Sequence, residues 1–262
     1  MISPPLKARS AKKKAQPHFL LIDVSNSFTK LALASPAKLL RVKKIPTCEL
    51  TAKALRKAVG DWKFKTAVIS SVVPKTGKAL RKFLRKKKML HVGPELKLGV
   101  GIDYPKPETI GADRLANAAS IVAIVGAPAV VVDFGTAVTF DIISPDKKYI
   151  GGVIAPGLQA MTDYLYQRTA LLPKIDLREP VATIGKSTRA AMMAGAIFGY
   201  RGLVKQILQE IRREMGVRNG LKVVATGGYA ELIAAKLPEI QKVHPNLTLE
   251  GLRAIAVLNA ST

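Results

Sequence analysis

Runs of apolar residues separated by short polar turns open the chain. They predict three strands, at residues 18–24, 29–34 and 39–45, joined closely enough for an antiparallel meander. Apolar residues then recur at helical spacing, as in Leu80, Phe83 and Leu84. The predicted order continues with a helix at 50–60, a strand at 66–70, a helix at 75–87 and a strand at 89–92. This part of the chain therefore predicts an α/β unit.

The later part of the chain repeats this order. Strands are predicted at 129–133, 138–143 and 149–154, then helices at about 158–168 and 186–215, a strand at 222–225 and helices around 229–236 and 248–258. One more helix, at 115–125, lies between the two cycles. The repetition indicates an internal duplication. We expect two lobes, at residues 18–126 and 127–262, preceded by a basic flexible tail at residues 1–17.

An acidic residue closes the first strand of each cycle. Asp23 stands six residues before Thr29, and Asp133 stands six residues before Thr139. In both places a turn of small or polar residues leads into the next strand. Backbone N–H groups in such a turn can approach phosphate oxygens, and a neighbouring carboxylate can hold a cation that neutralises phosphate charge. The pattern favours paired phosphate-binding hairpins; the alternative is two ordinary hairpins with aspartates in their turns.

Charge is the one unusual feature of the composition. The 262 residues include 42 Lys and Arg and 18 Asp and Glu, which gives a formal net charge of +24. Residues 1–17 hold five basic groups and residues 75–88 hold eight, with no acid in either segment. Such runs are either a tail and a solvated helix face or a surface for nucleic acid or anionic membrane. Aromatic residues make up only 5% of the chain, which leaves little for base stacking, so nucleic acid is not an expected partner.

Other features of the sequence favour a cytoplasmic protein. No apolar run approaches the roughly 20 residues that a membrane-spanning helix needs, and no membrane is expected as a partner. The apolar stretch 19–22 ends at Asp23 and is too short for a signal peptide. Cys48 is the only cysteine, so no disulfide can form within the chain, in keeping with a reducing compartment.

Several motifs, in a fixed order, carry a more specific signal. The two turns read Asp23-Val24-Ser25-Asn26-Ser27-Phe28-Thr29-Lys30 and Asp133-Phe134-Gly135-Thr136-Ala137, and Gly111-Ala112-Asp113-Arg114 lies between them. Gly151-Gly152, Pro156-Gly157 and Thr226-Gly227-Gly228 follow. From about residue 19 to residue 259, this series resembles the type III pantothenate kinases. The resemblance implies two actin-like (ribonuclease H-like) lobes, each a mixed five-stranded sheet flanked by helices, with an ATP cleft between the lobes.

The resemblance also implies a reaction, the ATP-dependent phosphorylation of pantothenate to 4'-phosphopantothenate, which is the first step of coenzyme A biosynthesis. Asp113 would be the catalytic base, and Asp133 the ligand of a monovalent cation, potassium or ammonium. Magnesium would accompany ATP, and the protein would be a homodimer. The implied ATP-binding residues are Asp23, Val24, Ser25, Asn26, Ser27, Phe28, Thr29, Lys30, Thr136, Gly227 and Gly228. The implied pantothenate-binding residues are Tyr104, Gly111, Ala112, Asp113, Arg114 and Thr188.

The residues by themselves leave alternatives open. Asp113 begins an apolar helix, where an Asp also serves as a cap. Arg114 could hold the pantothenate carboxylate with its guanidinium fork or pair across a subunit interface. Ser25 occupies the position of a family glycine, so either the turn is strained by a positive φ or the side chain takes phosphate space. For the whole chain, the alternatives are a kinase for another small alcohol and a non-catalytic regulatory or nucleic-acid-binding member of the same family.

Overall fold

The structure, a computed structural model, describes residues 18–217 and 219–260, so the predicted tail at 1–17 lies outside the described residues. Within the described ranges, the chain forms two mixed sheets and seven α-helices. The strands are β1 (Phe19–Val24), β2 (Phe28–Ala34), β3 (Leu39–Pro46), β4 (Thr66–Ser71), β5 (Lys88–His91), β6 (Gly101–Ile102), β7 (Ala129–Phe134), β8 (Ala137–Ile143), β9 (Lys148–Pro156), β10 (Lys222–Gly227) and β11 (Lys242–Val243). The helices are α1 (Ala52–Val59), α2 (Gly77–Leu84), α3 (Ala112–Ile124), α4 (Leu158–Arg168), α5 (Thr188–Glu214), α6 (Ala230–Ala234) and α7 (Leu247–Leu258).

The first sheet has the strand order β3-β2-β1-β4-β5. Its central strand β1 runs antiparallel to β2 and parallel to β4. All residues of β1 are buried, because α1 and α2 cover one face of the sheet and α7 packs on the other. Burial on both faces explains why the strand reads as a continuous apolar run rather than an alternating one.

The second sheet repeats this connectivity, with the order β11-β10-β7-β8-β9-β6. Strand β7 runs antiparallel to β8 and parallel to β10, as β1 does to β2 and β4. The predicted two-lobed α/β fold with mixed sheets is therefore confirmed. The prediction of five strands in each sheet is wrong for the second, because β6 pairs in parallel with β9 at its edge. A two-residue strand is too short to give a periodic signal in the sequence.

Two helices join the sheets into one molecule. Helix α3 packs along α7, and buried Leu115 and Ala119 of α3 share a core with Leu252 and Ile255 of α7. Helix α3 also contacts β7 and β8 of the second sheet, whereas α7 contacts β1 and β4 of the first. Helix α3, which precedes residue 126, therefore packs on the second sheet, and helix α7, which follows it, packs on the first. The lobe boundary at residue 126 stays a prediction.

Helix ends follow local capping chemistry. Helix α1 begins after Thr51, whose side chain accepts a hydrogen bond from the backbone N of Ala54. Helix α2 ends at Leu84, three residues before the predicted limit, and the basic run after it forms a turn into β5. Among the helices in the described ranges, none is both long and apolar enough to cross a membrane.

Candidate active site

A cleft of about 440 Å³ lies between the β1–β2 hairpin of the first sheet and the β7–β8 hairpin of the second. The turns of the two hairpins touch, because the Ser27 and Thr136 hydroxyl oxygens are 3.2 Å apart. Helix α4 and the turn after β10 close the cleft at one side. The lining includes these predicted ATP-binding residues: Asp23, Ser25, Ser27, Phe28, Lys30, Thr136, Gly227 and Gly228.

In the first hairpin, the residue opposite Asp23 is Lys30. Directly opposed residues in an antiparallel pair project from the same face, so the carboxylate and the ammonium group share the cleft. Lys30 Nζ also donates a hydrogen bond to Pro245 O at 3.1 Å, just before α7. Asp23 is buried, and in the described part of the chain its Oδ1 has no hydrogen-bond partner. A buried acceptor without a partner is a place where a ligand can bind.

Three other residues of the first predicted motif do not line the cleft. Val24 packs in the core of the first lobe, and Asn26 is exposed beside the lining residues. Thr29 is buried, and its Oγ1 lies 3.0 Å from Thr47 Oγ1, which donates to Ser25 O at 2.8 Å. Thr29 therefore supports the turn from behind, through Thr47.

Ser25 has an ordinary backbone conformation. Lys147 is the only non-glycine residue of residues 18–217 and 219–260 with a positive φ. The backbone N of Ser25 donates to Phe28 O at 3.1 Å, which closes the turn. Of the two alternatives for Ser25, strain from a positive φ is therefore wrong. The other alternative remains, since Ser25 lines the cleft.

The second hairpin takes its polar partner from a helix. Asp133 lies near the end of β7, and Asn117 Nδ2 of α3 donates to Asp133 Oδ2 at 3.3 Å. Thr248 Oγ1 of α7 donates to Asn117 Oδ1 at 2.9 Å, which orients the amide. The sequence placed Asn117 close to the motif that contains Asp113 but gave no sign of this contact with Asp133.

The glycine turn after β10 fits closely against the second hairpin. Gly227 has a φ of +96°, and a Cβ there would lie 2.6 Å from backbone atoms of Phe134. Gly228 N donates to Phe134 O at 3.0 Å. Any other residue at position 227 would push this wall away from the Asp133 turn.

Three carboxylates, Asp23, Asp113 and Asp133, lie close enough to affect one another. Burial raises the pKa of Asp23 to about 7, the charge of Lys30 opposes this, and the charges of Asp113 and Asp133 add to it. Burial also raises the pKa of Asp133, which the Asn117 hydrogen bond and Lys30 partly offset. The pKa of Asp113 is likewise raised by burial. A cation in the cleft would relieve this repulsion and lower all three pKa values.

The described residues contain no ready cage of His, Cys, Asp or Glu side chains for a metal ion. A cation here would take part of its coordination from phosphate oxygens and water, as magnesium does in nucleotide sites. The donor set suits hard cations, because it consists of carboxylate and hydroxyl oxygens.

The first turn of α3 carries Asp113 and Arg114. Gly111 is the residue before the helix and Ala112 is its first residue. Asp113 Oδ1 accepts a hydrogen bond from the backbone N of Arg114 at 2.9 Å, so it does contact the helix start. Asp113 is not among the residues that line the cleft, but its charge adds to the effect of burial in raising the pKa of Asp23.

Arg114 and Tyr104, two of the predicted substrate residues, both lie beside the ring of Tyr149. Arg114 Nε donates to Asp141 Oδ1 of β8 at 2.6 Å. The guanidinium carbon lies 5.7 Å from the ring centroid of Tyr149, and Tyr104 packs edge-on against that ring at 6.1 Å. Sequence analysis missed Asp141. The available signal was an acidic residue inside a strand that is otherwise apolar.

Within one chain, Thr188 lies apart from the other predicted site residues. It is the first residue of α5, is exposed, and is absent from the lining of the cleft. Ser187 caps this helix by accepting a hydrogen bond from Ala190 N at 3.2 Å. The adjoining cavity is formed by residues 175–193 and lies apart from the three carboxylates.

Comparison with known proteins yields a consistent result. A family model described as type III pantothenate kinase matches residues 19–210. The chain is 51% identical over 242 residues to a type III pantothenate kinase of Akkermansia muciniphila, covering 92% of this chain and 99% of that protein. It is 40% identical over 237 residues to one of Methylacidiphilum infernorum, covering 90% and 87% of the two chains.

Among solved structures, the chain is similar to a Campylobacter jejuni protein assigned to the Baf family of transcriptional activators. The TM-score is 0.61 at 21% identity, with 93% of this chain and 100% of that chain covered. At this level of identity, the likeness concerns the fold alone.

Proposed function

The chain belongs to the type III pantothenate kinase family, and we propose that its cleft transfers the γ-phosphoryl group of ATP to the primary hydroxyl of pantothenate. The product is 4'-phosphopantothenate, and the reaction opens coenzyme A biosynthesis. The observation that carries the proposal is that Asp23 and Asp133 line one cleft beside two touching turns from the two sheets, with Asp113 near enough for its charge to raise the pKa of both. Carboxylates and small turns from opposite lobes are what phosphoryl transfer requires to hold the phosphates and accept a proton.

Asp113 is the proposed general base. Burial raises the pKa of its carboxyl, which strengthens the ionised form as a proton acceptor. In the transfer, Asp113 accepts the proton of the pantothenate hydroxyl while the bond from the hydroxyl oxygen to the γ-phosphorus forms and the bond to the β–γ bridging oxygen breaks. Lys30 and the small turn residues are proposed to hold the phosphates in line with that hydroxyl.

The cations are a further part of the proposal. Asp23, with a buried carboxylate oxygen that lacks a protein partner in the described residues, would hold magnesium together with ATP. Asp133 would hold potassium or ammonium, since Asn117 engages only one of its oxygens. Bound cations would supply charge neutralisation for the phosphates.

Potassium dependence tests the role of Asp133. Asp133→Asn should remove any stimulation of activity by potassium, whereas the matched change Asp146→Asn, in the exposed turn between β8 and β9, should preserve it. The measurement is initial rate against potassium concentration at fixed ATP. Equal stimulation of Asp133→Asn and parent enzyme would place the cation elsewhere.

We also propose a homodimer. Large apolar side chains remain exposed on α4, on β9 and in the segment before α5: Ile154, Tyr164, Leu171, Val181 and Ile184. A second copy covering these side chains would bury apolar surface. It would also bring a Thr188 near a pantothenate site that its own chain does not reach. Mixing Asp113→Asn with Thr188→Arg should then restore activity above either variant alone, because one site of the mixed dimer keeps both residues.

A cytoplasmic location is the last proposal. The single cysteine, Cys48, is exposed and free, a state that a reducing compartment preserves. Cell fractionation with an antibody to the chain would test this directly, and recovery outside the cytoplasmic fraction would contradict it.

The decisive experiment is an ATP-dependent phosphorylation assay with pantothenate and a panel of other small alcohols, with and without potassium. Pantothenate should be the preferred acceptor. Preference for another alcohol would support a related kinase, and absence of any turnover would support a non-catalytic member. The second of these is disfavoured, because a relative covered over 99% of its length is named as a kinase.

A further inference from the structure

We propose that Asp141 is a positioning residue that holds the guanidinium of Arg114 in place to receive the carboxylate of pantothenate. The inference rests on the proposed function, because pantothenate is the ligand that brings the carboxylate. Asp141 itself would not contact the substrate. It would act through the orientation of Arg114, and so determine the preference for acceptors that carry an acid at that end.

The hydrogen bonds of Arg114 occupy one edge of its guanidinium. Nε donates to Asp141 Oδ1 at 2.6 Å, and Nη2 lies 3.4 Å from Phe140 O. Within the described residues, these bonds leave Nη1 and the second hydrogen of Nη2 for another acceptor. That pair of N–H groups forms the end-on fork, which binds a carboxylate through two parallel hydrogen bonds.

The other sides of the guanidinium are enclosed. The ring of Tyr149 lies against it at 5.7 Å from guanidinium carbon to ring centroid. Gly152 of β9 lies so near that a Cβ there would overlap both Arg114 Nη2 and Phe140 O. The plane of the guanidinium is therefore fixed by three neighbours: Asp141 at one edge, Gly152 close to Nη2, and the ring of Tyr149. Tyr104 is exposed and packs edge-on against the ring of Tyr149.

The energetics of the Arg114–Asp141 ion pair indicate that it orients Arg114 rather than stabilises the fold. Asp141 is fully buried, and the Arg114 side chain is 16% exposed. The second carboxylate oxygen of Asp141 has no partner within the described ranges. Burying an ion pair is expensive, and one whose remaining atoms are unsatisfied contributes little net stability. Burial accordingly raises the pKa of Asp141 to about 7, although the charge and hydrogen bond of Arg114 lower it.

The first test is Asp141→Ala. It should raise the KM for pantothenate on the order of ten- to a hundredfold, as expected for loss of a charge-assisted orientation, while kcat and the KM for ATP change less than about threefold. Asp141→Asn keeps an acceptor for Nε and should recover most of the loss. Asp146→Ala, on the same β8–β9 hairpin but exposed and paired with Lys148, should leave both KM values unchanged. If Asp141→Ala impairs kcat and the KM for ATP as strongly as the KM for pantothenate, the role of Asp141 is structural and the proposal is overturned.

Coupling to Arg114 is the second test. In an Arg114→Ala background, Asp141→Ala should add nothing to the KM for pantothenate, because a residue that acts through another has no effect once that residue is gone. Additive effects would overturn the proposal. If Asp141→Ala does not fold, Arg114→Lys decides: it keeps the charge but cannot be held through Nε. Arg114→Lys should be as impaired toward pantothenate as Arg114→Ala, and a fully active Arg114→Lys would show that the held fork is unnecessary.

A neutral analogue separates this inference from the proposed function. In pantothenol, a hydroxymethyl group replaces the carboxylate, while the hydroxyl that accepts the phosphoryl group is unchanged. The parent enzyme should prefer pantothenate, and Asp141→Ala should lose that preference. Equal use of both compounds by the parent would overturn the inference and leave the kinase function standing. Calorimetric binding of both compounds without ATP gives the same comparison if turnover is absent. Failure of the parent to bind pantothenate more tightly than pantothenol would then overturn the inference.

Discussion

The two hairpins that meet across the cleft differ by one residue, and the difference changes what each presents. Three residues, 25–27, join β1 to β2, whereas Gly135 and Thr136 alone join β7 to β8. Because side chains alternate along a strand, one extra residue shifts which of them face the cleft. Lys30 consequently lies opposite Asp23, while Thr139 lies opposite Asp133. Equal spacing of Asp and Thr in the sequence was therefore a misleading alignment.

As a result, a different group offsets the negative charge of each hairpin aspartate. Asp23 receives an ammonium group from its own hairpin, and Asp133 receives a neutral amide from α3. The first hairpin thus adds positive charge where phosphates are proposed to bind. The second presents a carboxylate that is hydrogen-bonded to an amide and only partly offset by the charge of Lys30, which suits a cation. The proposed base, Asp113, belongs to neither hairpin.

The largest effect is expected for Asp113. If the hairpins bind and Asp113 performs the proton transfer, Asp113→Asn should lower kcat on the order of 10²–10⁴-fold with little change in the KM for ATP. The amide cannot accept the hydroxyl proton. Steady-state kinetics, with ATP binding measured separately, would check this. A near-normal kcat would return Asp113 to the role of a helix cap.

Asp23 should make the ligand-free protein sensitive to pH. Its pKa rises from 3.8 to about 7 on folding, so the folded state holds this proton more tightly than the unfolded state. The stability linked to the neutral form is present at low pH and is lost as pH rises from about 4 through about 7. Asp23→Asn should therefore be more stable than the parent at pH 8, by up to about 4 kcal/mol at roughly 1.4 kcal/mol per pKa unit.

Urea unfolding of both proteins at pH 5 and pH 8, with chelator present, would measure that difference. The gap between variant and parent should widen with pH. A difference in unfolding free energy of the same size at pH 5 and pH 8 would mean that folding does not bury the ionised carboxylate of Asp23. Asp133→Asn should show a gap of the same sign, since burial raises the pKa of Asp133 as well.

The register difference itself can be tested with a matched pair. Lys30→Met should raise the KM for ATP about tenfold, as expected for loss of one charge partner of the phosphates. Thr139→Val, at the corresponding position of the second hairpin, should change it less than about twofold. Similar effects of the two substitutions would mean that the extra turn residue has no functional consequence.

The sequence predicted the sheets, their repeated order and the two hairpin aspartates, Asp23 and Asp133, that line the cleft, because these depend on local periodicity and motif order. It could not predict register, which depends on the turn length and on backbone pairing. The burial of Thr29 follows from Thr47, 18 residues away, and the role of Asp141 follows from Arg114, 27 residues away. Neither contact leaves a mark on the periodicity of its own strand.

The smallest expected effect concerns Ser25, which lines the longer turn. Its φ is not positive, so Ser25→Gly relieves no strain, and any gain must come from removing the side chain from the space that phosphates would occupy. We expect the KM for ATP to fall a few-fold, on the order of 1 kcal/mol or less, and the KM for pantothenate to stay unchanged. Because glycine loses more backbone freedom on folding, unfolding should become easier by roughly 0.5–1 kcal/mol.

Kinetics with each substrate varied in turn would separate the possible outcomes for Ser25→Gly. A rise in the KM for ATP would mean that the serine hydroxyl donates a hydrogen bond to a phosphate oxygen, and that the longer turn binds through this side chain as well as its backbone. No change for either substrate would mean that the turn does not approach the phosphates. The assignment of ATP to the first hairpin would then be wrong, and the one-residue difference between the hairpins would concern the position of Lys30 alone.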